Sequence, residues 1–366
     1  MNIRAAEQRT VEVPKPKPPR QPVRLDGRAA GPTGATGGSR NVTVLMGGPS
    51  AEREVSLASG RAIAAGLRRL GHRVIEADIG PRDTAALDAP GIDVVFIALH
   101  GAFGESGEVQ ELCEQRGLAY TGSGPRASRL AMDKVASKEV FRAQGVLTPD
   151  WAVVESSHAA TRRRELLAHV GLPAVVKPID GGSSLDVVIA RDAARRDIAL
   201  EELLAKYGRI LVERFVAGRE LTVGILGEQA LPVLEIVPAR EFYDYTAKYA
   251  DGSGTQYRFD LGLAEATVRA AEAASLASYR ALGCRDMLRV DFILDDAGQA
   301  WMLEVNTIPG FTGHSLLPMA AARAGVSFDR LVGRLVELAH ARSPAAAGDS
   351  TGRAAPARGP QRGGHV

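Results

Sequence analysis

Residues 288–315 constrain the fold more than any other stretch, because they combine two apolar runs, a short turn and several charged side chains. The tetrapeptide Asp-Ala-Gly-Gln at 296–299 lies between the apolar runs, and a turn sequence in this setting predicts a β-hairpin. Side chains alternate between the two faces of a strand. If Ala297 and Gly298 form the loop, the pairing of the two strands follows residue by residue.

That pairing places oxygen-bearing side chains together on one face of the sheet. Asp291 lies opposite Glu304, and Arg289 lies opposite Asn306. Two carboxylates and an amide oxygen in one place repel and desolvate each other unless a cation lies between them. Oxygen ligands of this kind suit Mg²⁺. A solvated sheet face is the alternative, but the turn-rich residues 307–310 after the strand favour a metal site beside an active-site loop.

Length and composition predict a soluble globular protein of more than one unit. With 366 residues the chain exceeds one ordinary core, so two or three compact units are expected. The net charge of +2 does not indicate nucleic-acid binding, and no apolar run approaches the roughly 18 residues of a membrane span. Cys113 and Cys284 are expected to be buried free thiols in a reducing cytosol, which predicts a cytoplasmic protein.

The two ends of the chain have a different composition from the rest. Residues 1–40 and 343–366 are rich in Pro, Arg and Gly. Neither end can bury enough apolar surface to order itself, so both are predicted to be disordered extensions. The first has no apolar stretch typical of a secretory signal, and a mis-assigned start codon is an alternative explanation for it.

Strands alternate with helices in the first folded part of the chain. Apolar strand patterns at 41–46 and 94–99 enclose a helical pattern, which predicts a parallel sheet with ligands at the carboxyl ends of its strands. Glu52 follows the first strand in a first helical turn, and His100 directly follows the later strand. Both are candidate binding residues; a helix N-terminal charge and a structural histidine are the alternatives.

One long helix is predicted over 126–144. Gly145 directly after it and Pro149 beyond it form a typical C-terminal stop signal. Lys134 and Lys138 lie four residues apart on one face of this helix, and we expect both lysines to be solvated.

A strand, a Gly/Ser-rich loop and a second strand follow. Lys177 interrupts an apolar strand at 173–178, the loop occupies 180–184, and the next strand is at 187–189. Amides and hydroxyls in such a loop can hold phosphate oxygens. The loop lacks the Gly-Lys-Ser/Thr ending and the following helix of a P-loop. A plain glycine hairpin is the alternative, and Lys177 argues against it.

The remaining segments predict a strand end, a lid and a packing helix. A strand at 210–216 turns back at 218–224. The carboxylates and backbone donors at this strand end can hydrogen-bond an adenine edge and a ribose; a charge pattern on an edge strand is the alternative. Residues 240–260 contain four tyrosines and little periodicity. Long irregular loops of this kind are commonly functional lids. A helix at 328–341 is predicted only to pack.

Several short motifs occur in the order typical of one enzyme family. They are GGPSAEREVS from Gly47, LHG from Leu99, YTGSG from Tyr120, MDK from Met132, VKP from Val176, EFYDY from Glu241, RVD from Arg289 and EVNT from Glu304. Together they resemble the D-alanine–D-alanine ligases of the ATP-grasp superfamily over about residues 42–341. The resemblance implies an α/β protein with an ATP-grasp fold, preceded by a Rossmann-like parallel-sheet N-terminal domain.

The resemblance also implies domains and a reaction. Residues 41–124 would form the N-terminal domain with the first D-alanine site, 125–210 the central subdomain with a glycine flap, and 211–342 the C-terminal subdomain with the magnesium site and lid. ATP would phosphorylate the carboxylate of one D-alanine, and the amine of a second would attack the acyl phosphate, for peptidoglycan and cell-wall synthesis. Two Mg²⁺ ions (replaceable by Mn²⁺), a homodimer, and no nucleic-acid or membrane partner are implied.

The resemblance assigns nucleotide and metal ligands. The residues it implies for ATP are Lys134, Lys177, Glu213, Val216, Glu220, Phe242 and Lys248. The three lysines would contact phosphates, the two carboxylates and the valine would hold adenine and ribose, and Phe242 would lie against the base. The residues it implies for the magnesium ions are Asp291, Glu304 and Asn306.

A further set would surround the two D-alanines. The residues implied are Glu52, His100, Ser183, Tyr249, Arg289 and Ser315. Glu52 would bind the first ammonium with His100 beside it, and Ser315 would lie near the second carboxylate. Arg289 would stabilise charge on the transferred phosphoryl group and the tetrahedral intermediate. Ser183 and Tyr249 would link flap, lid and Glu52.

Two departures from the family pattern leave alternatives open. Leu185 and Asp186 follow the flap serines where the family usually has Val-Gly, so a carboxylate is expected beside the triphosphate. Ser106 and Glu108 occur after the LHG motif where Asp and Thr are common. The alternatives are a ligase for D-lactate or D-serine, which Tyr249 argues against, and a catalytically impaired nucleotide-binding protein.

Overall fold

The computed structural model describes residues 38–239 and 254–343. The first element of the fold is a parallel sheet. Its strands β1 (Asn41–Met46), β2 (Arg73–Asp78) and β3 (Val94–Ile97) have the order β2-β1-β3. Helix α1 (Arg53–Arg69) connects β1 to β2, as a crossover between parallel strands requires. The predicted parallel sheet is confirmed, because β1 pairs in parallel with both neighbours.

The helical layer that follows contains a break at Asp133. Its helices are α2 (Ala102–Glu105), α3 (Glu108–Gln115), α4 (Pro125–Met132) and α5 (Lys134–Ala143). The prediction of one helix over 126–144 is wrong, because Asp133 is extended and caps α5. Its carboxylate accepts hydrogen bonds from the amides of Val135 and Ala136, each at 2.9 Å. An N-cap of this kind stabilises a helix by about 1 kcal/mol, so the break has its own support.

The central sheet is antiparallel with the order β4-β7-β5-β6. Its elements are β4 (Trp151–Glu155), α6 (Ala160–Val170), β5 (Ala174–Pro178), β6 (Val188–Ala190), α7 (Ala193–Tyr207) and β7 (Arg209–Arg214). Residues of even number on β4, β5 and β7, such as Val154, Val176 and Val212, pack against α6 and α7 in one core. Because side chains alternate, Lys177 and Glu213 lie on the opposite face.

A third sheet, also antiparallel, has the order β11-β10-β8-β12-β13, with β9 paired to β8. Its elements are β8 (Arg219–Leu226), β9 (Gln229–Ala230), β10 (Leu234–Val237), β11 (Gln256–Arg258), α8 (Glu265–Leu282), β12 (Met287–Leu294) and β13 (Ala300–Asn306). One face forms a core with α8 that includes Val223, Val290 and Tyr279. The other face carries Thr222 and Asp291, which are paired across β8 and β12.

The predicted hairpin is confirmed at the end that bears the polar residues. Asp291 pairs with Glu304, and Arg289 pairs with Asn306 across β12 and β13. An irregularity follows directly after Asp291, where the register shifts. A bulge of this kind inserts one extra residue into one strand.

Near its turn the hairpin differs from the prediction. The prediction of a two-residue loop at Ala297 and Gly298 is wrong. The connection is longer, because β12 ends at Leu294 and β13 begins at Ala300. The Gly298 amide donates to the Asp295 carbonyl at 2.9 Å and closes a turn inside this longer loop. The bulge compensates for the longer loop, so the pairing is as predicted at the far end.

The last helices return to the first sheet. They are α9 (Leu316–Arg323) and α10 (Phe328–His340). Val332 and Leu335 of α10 share a core with Leu67 of α1 and Phe96 of β3. The predicted packing helix is confirmed, whereas the boundaries at 124 and 210 stay predictions. The predicted disordered residues 1–37 and 344–366 lie outside the described ranges.

Two predictions from composition can be compared with the described residues. Cys113 and Cys284 are both buried and free. Burial raises the pKa of both thiols, to about 12 for Cys113 and to about 11 for Cys284, so neither is a reactive thiolate. Among the helices in the described ranges, none has both the length and the apolar content to cross a membrane.

Candidate active site

Two neighbouring cavities adjoin the polar end of the hairpin. The smaller has a volume of about 120 Å³ and the larger about 340 Å³. The larger lies between the central sheet and the third sheet, with Lys177 on one wall and Asp291 on the other. The cavities share Lys134, Gly181, Gly182 and Glu304. A group that passes from one cavity to the other therefore moves past an ammonium, a carboxylate and the glycines of the flap.

The structure sorts the predicted site residues between these cavities. The smaller cavity is lined by Glu52, His100, Ser183, Arg289, Asn306 and Ser315. The larger is lined by Lys177, Glu213, Val216, Glu220 and Asp291. Lys134 and Glu304 line both. Phe242, Lys248 and Tyr249 lie outside the described residues, and the individual roles of all these side chains stay predictions.

A buried cluster of three charges lies beneath the larger cavity. Glu213 Oε1 is 2.5 Å from Lys177 Nζ, and Glu213 Oε2 is 2.9 Å from Lys138 Nζ. Lys138 Nζ also donates to Thr148 Oγ1 at 2.6 Å and lies 5.3 Å from the centre of the Trp151 ring. The expectation that Lys134 and Lys138 are solvated is wrong, because both are buried.

Burial and pairing act in opposite directions on this cluster. Burial lowers the pKa of Lys138 to about 8, although the Glu213 carboxylate raises it. Burial raises the pKa of Glu213, but Lys138 and Lys177 together outweigh this effect, so its pKa lies below the ordinary value. Sequence reasoning missed Lys138 as part of the site. The available signal was its spacing of four residues from Lys134, which puts both lysines on one helix face.

The hairpin presents an oxygen-rich face at the junction of the cavities. Thr222 Oγ1 donates to Asp291 Oδ1 at 2.7 Å, and Arg289 donates to both carboxylate oxygens through Nη2 at 2.8 Å and Nε at 3.0 Å. Lys134 Nζ lies 3.5 Å from Glu304 Oε2. The Asn306 side-chain oxygen accepts from the Ile308 amide at 3.0 Å, a bond that holds it in place.

This donor set fits a magnesium ion that shares its coordination with phosphate. A carboxylate has about four lone-pair positions, so Asp291 keeps capacity beyond its bonds to Thr222 and Arg289. Within residues 38–239 and 254–343, no group of three or more His, Cys, Asp or Glu side chains is arranged to hold a metal. A metal here would therefore need Asn306, water or substrate oxygens besides the two carboxylates, which is the usual coordination of Mg²⁺.

The smaller cavity contains several buried titratable groups. The Ser183 hydroxyl donates to Glu52 Oε1, which links the flap to the start of α1. Burial lowers the pKa of His100, so its imidazole is neutral. The pKa of Glu105 is raised to about 8, mainly by burial and to a smaller extent by the nearby Glu52 carboxylate. Glu105 also accepts from the Gly101 amide at 2.7 Å. Sequence reasoning gave Glu105 no role in the site, although it lies in the segment that follows the strand end at His100.

Ser315 stands at the start of α9, at the mouth of the smaller cavity. Its hydroxyl oxygen accepts from the Thr312 amide at 2.8 Å. The loop before it is attached to α1, because the Phe311 amide donates to Ser59 Oγ at 3.1 Å. Free amides at the N-terminus of a helix favour anions, so a substrate carboxylate can bind here.

The flap carries one further correction. Asp186 does not line the larger cavity, although Ser184, Leu185 and Val187 do. Its carboxylate instead accepts hydrogen bonds from Lys206 and Tyr207 at the end of α7. The expectation of a carboxylate beside the triphosphate is therefore wrong, because the side chain points to the outer side of the flap.

A cleft between two antiparallel sheets, with lysines on one wall and paired carboxylates on the other, defines an ATP-grasp protein. A family model described as "D-ala D-ala ligase C-terminus" matches residues 140–337. The D-alanine–D-alanine ligase of Gloeobacter violaceus is 44% identical over 297 residues, which are 81% of this chain and 98% of that protein. The chain therefore belongs to the D-alanine–D-alanine ligase family.

Solved structures agree with this membership. The D-alanine–D-alanine ligase of Bacillus anthracis complexed with ATP is 33% identical, with a TM-score of 0.72 over 83% of this chain and 97% of that one. The VanG D-Ala:D-Ser ligase of Enterococcus faecalis is 26% identical, with a TM-score of 0.73 over 82% of this chain and 99% of that one. The predicted ATP-grasp fold is confirmed.

Proposed function

We propose that the protein joins two D-alanines to D-alanyl-D-alanine, with conversion of ATP to ADP and phosphate, for peptidoglycan synthesis. The observation that carries this function is the pair of cavities that meet at Lys134 and Glu304. A nucleotide in the larger cavity would present its terminal phosphate to a carboxylate in the smaller one. The family supports the reaction, since the curated relative is named a D-alanine–D-alanine ligase.

The chain's own residues supply positioning and charge for two steps. A carboxylate oxygen of the first D-alanine attacks the terminal phosphorus and ADP leaves; the second amine then attacks the acyl carbon and phosphate leaves. Lys134, Lys177 and Arg289 would balance the negative charge that develops. Glu52 would hold the first ammonium, and the flap, attached to Glu52 by Ser183, would exclude water from the acyl phosphate.

Asp291, Glu304 and Asn306 would hold magnesium at the junction. When bound, Mg²⁺ neutralises charge on the phosphate oxygens. Their oxygen donors support this assignment, and Lys134 near Glu304 would hold that carboxylate toward the nucleotide. Two ions and replacement by Mn²⁺ stay predictions, as do the homodimer, the cytoplasmic location and the lack of nucleic-acid or membrane partners.

We expect Glu304→Gln to raise the Mg²⁺ concentration needed for half-maximal rate by about tenfold or more. The amide keeps the shape of the side chain but loses the negative charge that a hard cation prefers. Rates measured across a magnesium series would show the shift. Glu337→Gln on α10, which removes an exposed ion pair with Arg334, is the matched control and should leave the series unchanged. A wild-type magnesium dependence for Glu304→Gln would contradict the metal site.

The function itself is tested by phosphate release from ATP with D-alanine, with L-alanine and without an amino acid. We expect release only with D-alanine, together with D-alanyl-D-alanine detected by chromatography. Nucleotide binding with no D-alanine-dependent release would identify an impaired nucleotide-binding protein instead.

A second candidate function is a ligase that takes D-serine or D-lactate as its second substrate. The likeness to the D-Ala:D-Ser ligase, at 26% identity, is the observation that keeps it open. The same assay with equal D-alanine and D-serine or D-lactate would distinguish them, and we expect D-alanyl-D-alanine as the main product. Tyr249, the residue that argues for this outcome, lies outside the described residues.

A further inference from the structure

The flap, residues 180–187 between β5 and β6, is attached on its inner side to two elements that line the smaller cavity. Lys134 Nζ donates to the Gly181 carbonyl at 2.6 Å, and the Ser183 hydroxyl donates to Glu52. The Leu185 amide donates to the Gly182 carbonyl at 3.2 Å and closes a turn between these residues. These bonds fix residues 181–185 of the flap on the side that faces the smaller cavity.

Asp186 holds the outer end of the flap from the other side. Its carboxylate accepts from the Lys206 ammonium and the Tyr207 hydroxyl at the C-terminal end of α7. Helix α7 packs in the core of the central sheet through residues such as Leu200 and Leu204. The outer end of the flap is therefore attached to a rigid part of the protein. We call Asp186, Lys206 and Tyr207 the flap latch.

The backbone of the flap needs such attachment. Ser183, Ser184 and Asp186 have φ values of +53°, +57° and +57°. This left-handed region costs free energy for residues other than glycine, and such residues persist there when surrounding contacts hold them. A glycine at 186 would adopt the conformation freely. An aspartate adopts it at some cost, and its bonds to α7 offset that cost.

We propose that Asp186 is a positioning residue for ATP, which through Lys206 and Tyr207 holds Ser184 and Leu185 against the larger cavity before the nucleotide binds. Ser184 and Leu185 line that cavity on the inner side of the latch. A flap that is already ordered loses less conformational entropy when the ligand arrives. The inference rests on the proposed function in taking the larger cavity as the ATP site.

The size of the effect follows from the exposure of the latch. The side chains of Lys206 and Asp186 are 59% and 33% exposed. Pairs this exposed contribute little, so loss of the latch should weaken ATP binding by about two- to fivefold rather than abolish it. Salt screens exposed pairs. The difference between wild type and variant should therefore shrink as salt rises from about 0.1 M to about 1 M.

The test is the dissociation constant of Mg-ATP, measured by calorimetry without D-alanine. Asp186→Asn keeps an acceptor for Tyr207 and a side chain tolerated at positive φ, so it isolates the charge. We expect it and Lys206→Met each to weaken binding by about two- to fivefold, and the double variant to be no weaker than the weaker-binding single variant. Lys206→Arg keeps the positive charge and should bind Mg-ATP with wild-type affinity. In turnover, KM for ATP should rise by the same factor while kcat is unchanged.

Glu155→Gln is the matched control. It removes an ion pair with Arg209 in the central sheet and does not touch the flap. The arginine and glutamate side chains are 57% and 36% exposed. We expect wild-type ATP affinity for it. Equal effects of Glu155→Gln and Asp186→Asn, additive effects of Asp186→Asn and Lys206→Met, or a loss of kcat at unchanged ATP affinity would each overturn the latch. Failure of the proposed function would appear separately, as ATP binding by the wild type without D-alanine-dependent phosphate release.

Discussion

Replacing Arg289 with lysine is expected to lower kcat by about 10²-fold or more while the affinity for ATP stays near the wild-type value. Arg289 lines the smaller cavity, where the acyl phosphate would form, and its guanidinium is held in place by two bonds to Asp291. Lysine keeps the charge but cannot reproduce the planar fork that binds Asp291 and an oxyanion together. Turnover and ATP calorimetry, measured on the same protein, separate the two quantities.

Arg285→Lys provides the matched control for this prediction. Arg285 is also a partly buried arginine, but it lies over the Tyr120 ring, bonds the Gly122 carbonyl at 2.8 Å and does not line either cavity. We expect this variant to keep nearly wild-type turnover. If Arg289→Lys instead lost ATP binding with no separate effect on turnover, Arg289 would be a structural residue and the assignment of the smaller cavity would fail.

Glu213→Gln is expected to lower the free energy of unfolding by about 3–5 kcal/mol. The Glu213 carboxylate is the anion between Lys138, which has no exposed side-chain surface, and Lys177, which is 7% exposed. Glutamine has nearly the same shape but would leave two buried ammonium groups without their shared charge partner. Breaking a buried pair from one side costs far more than losing an exposed one.

The pH dependence of this loss has a defined sign. In the wild type the pKa of Lys138 is about 8 in the folded protein, below its ordinary value of 10.5. The unfolded chain therefore binds more protons than the folded protein between these values, and stability rises with pH in that window. Without Glu213 the folded pKa falls further, because the carboxylate that raised it is gone. The destabilisation should be largest on the acid side of neutral pH, where Lys138 is charged in the folded wild type, and should shrink as the pH rises through about 8.

Urea unfolding of wild type and variant at several pH values would test both statements. Glu155→Gln on the adjoining strand β4 is again the matched control, since it removes an exposed pair with Arg209 at the start of β7. Its effect should stay within about 0.5 kcal/mol at every pH. A loss below about 1 kcal/mol for Glu213→Gln, or a loss independent of pH, would mean that the lysines find other partners or are neutral in the folded protein.

Features that depend on neighbouring residues were predictable from the sequence. The alternation of side chains along a strand predicted that Asp291 and Glu304 share one face of the hairpin, and the two residues are paired in the folded protein, although a bulge had to offset a longer turn than predicted. The parallel sheet followed from strands alternating with a helical pattern, and β1 pairs in parallel with both of its neighbours. The motifs around Glu52 and Lys177 indicated the family that the comparisons show.

Other features needed the tertiary structure, because they depend on what packs against a segment from a distant part of the chain. Lys138 is a plain helix-face lysine in the sequence, and it is buried because β7 brings Glu213 to it. Asp186 closely follows the flap serines in the sequence, yet its carboxylate points away from the cavity because it accepts hydrogen bonds from Lys206 and Tyr207 of α7. The helix break at Asp133 had a local signal, an N-cap residue, which the strong apolar period of the flanking helices outweighed.

The sequence by itself determined the family and the sheet faces, since each rests on local periodicity or on motifs of adjacent residues. Only the tertiary structure decided which charges are buried, which partner each carboxylate has and that two cavities meet at Lys134 and Glu304. The physical reason is desolvation. The free energy of a charged side chain depends on the water it loses and the partners it gains, and both are set by elements far away in the sequence.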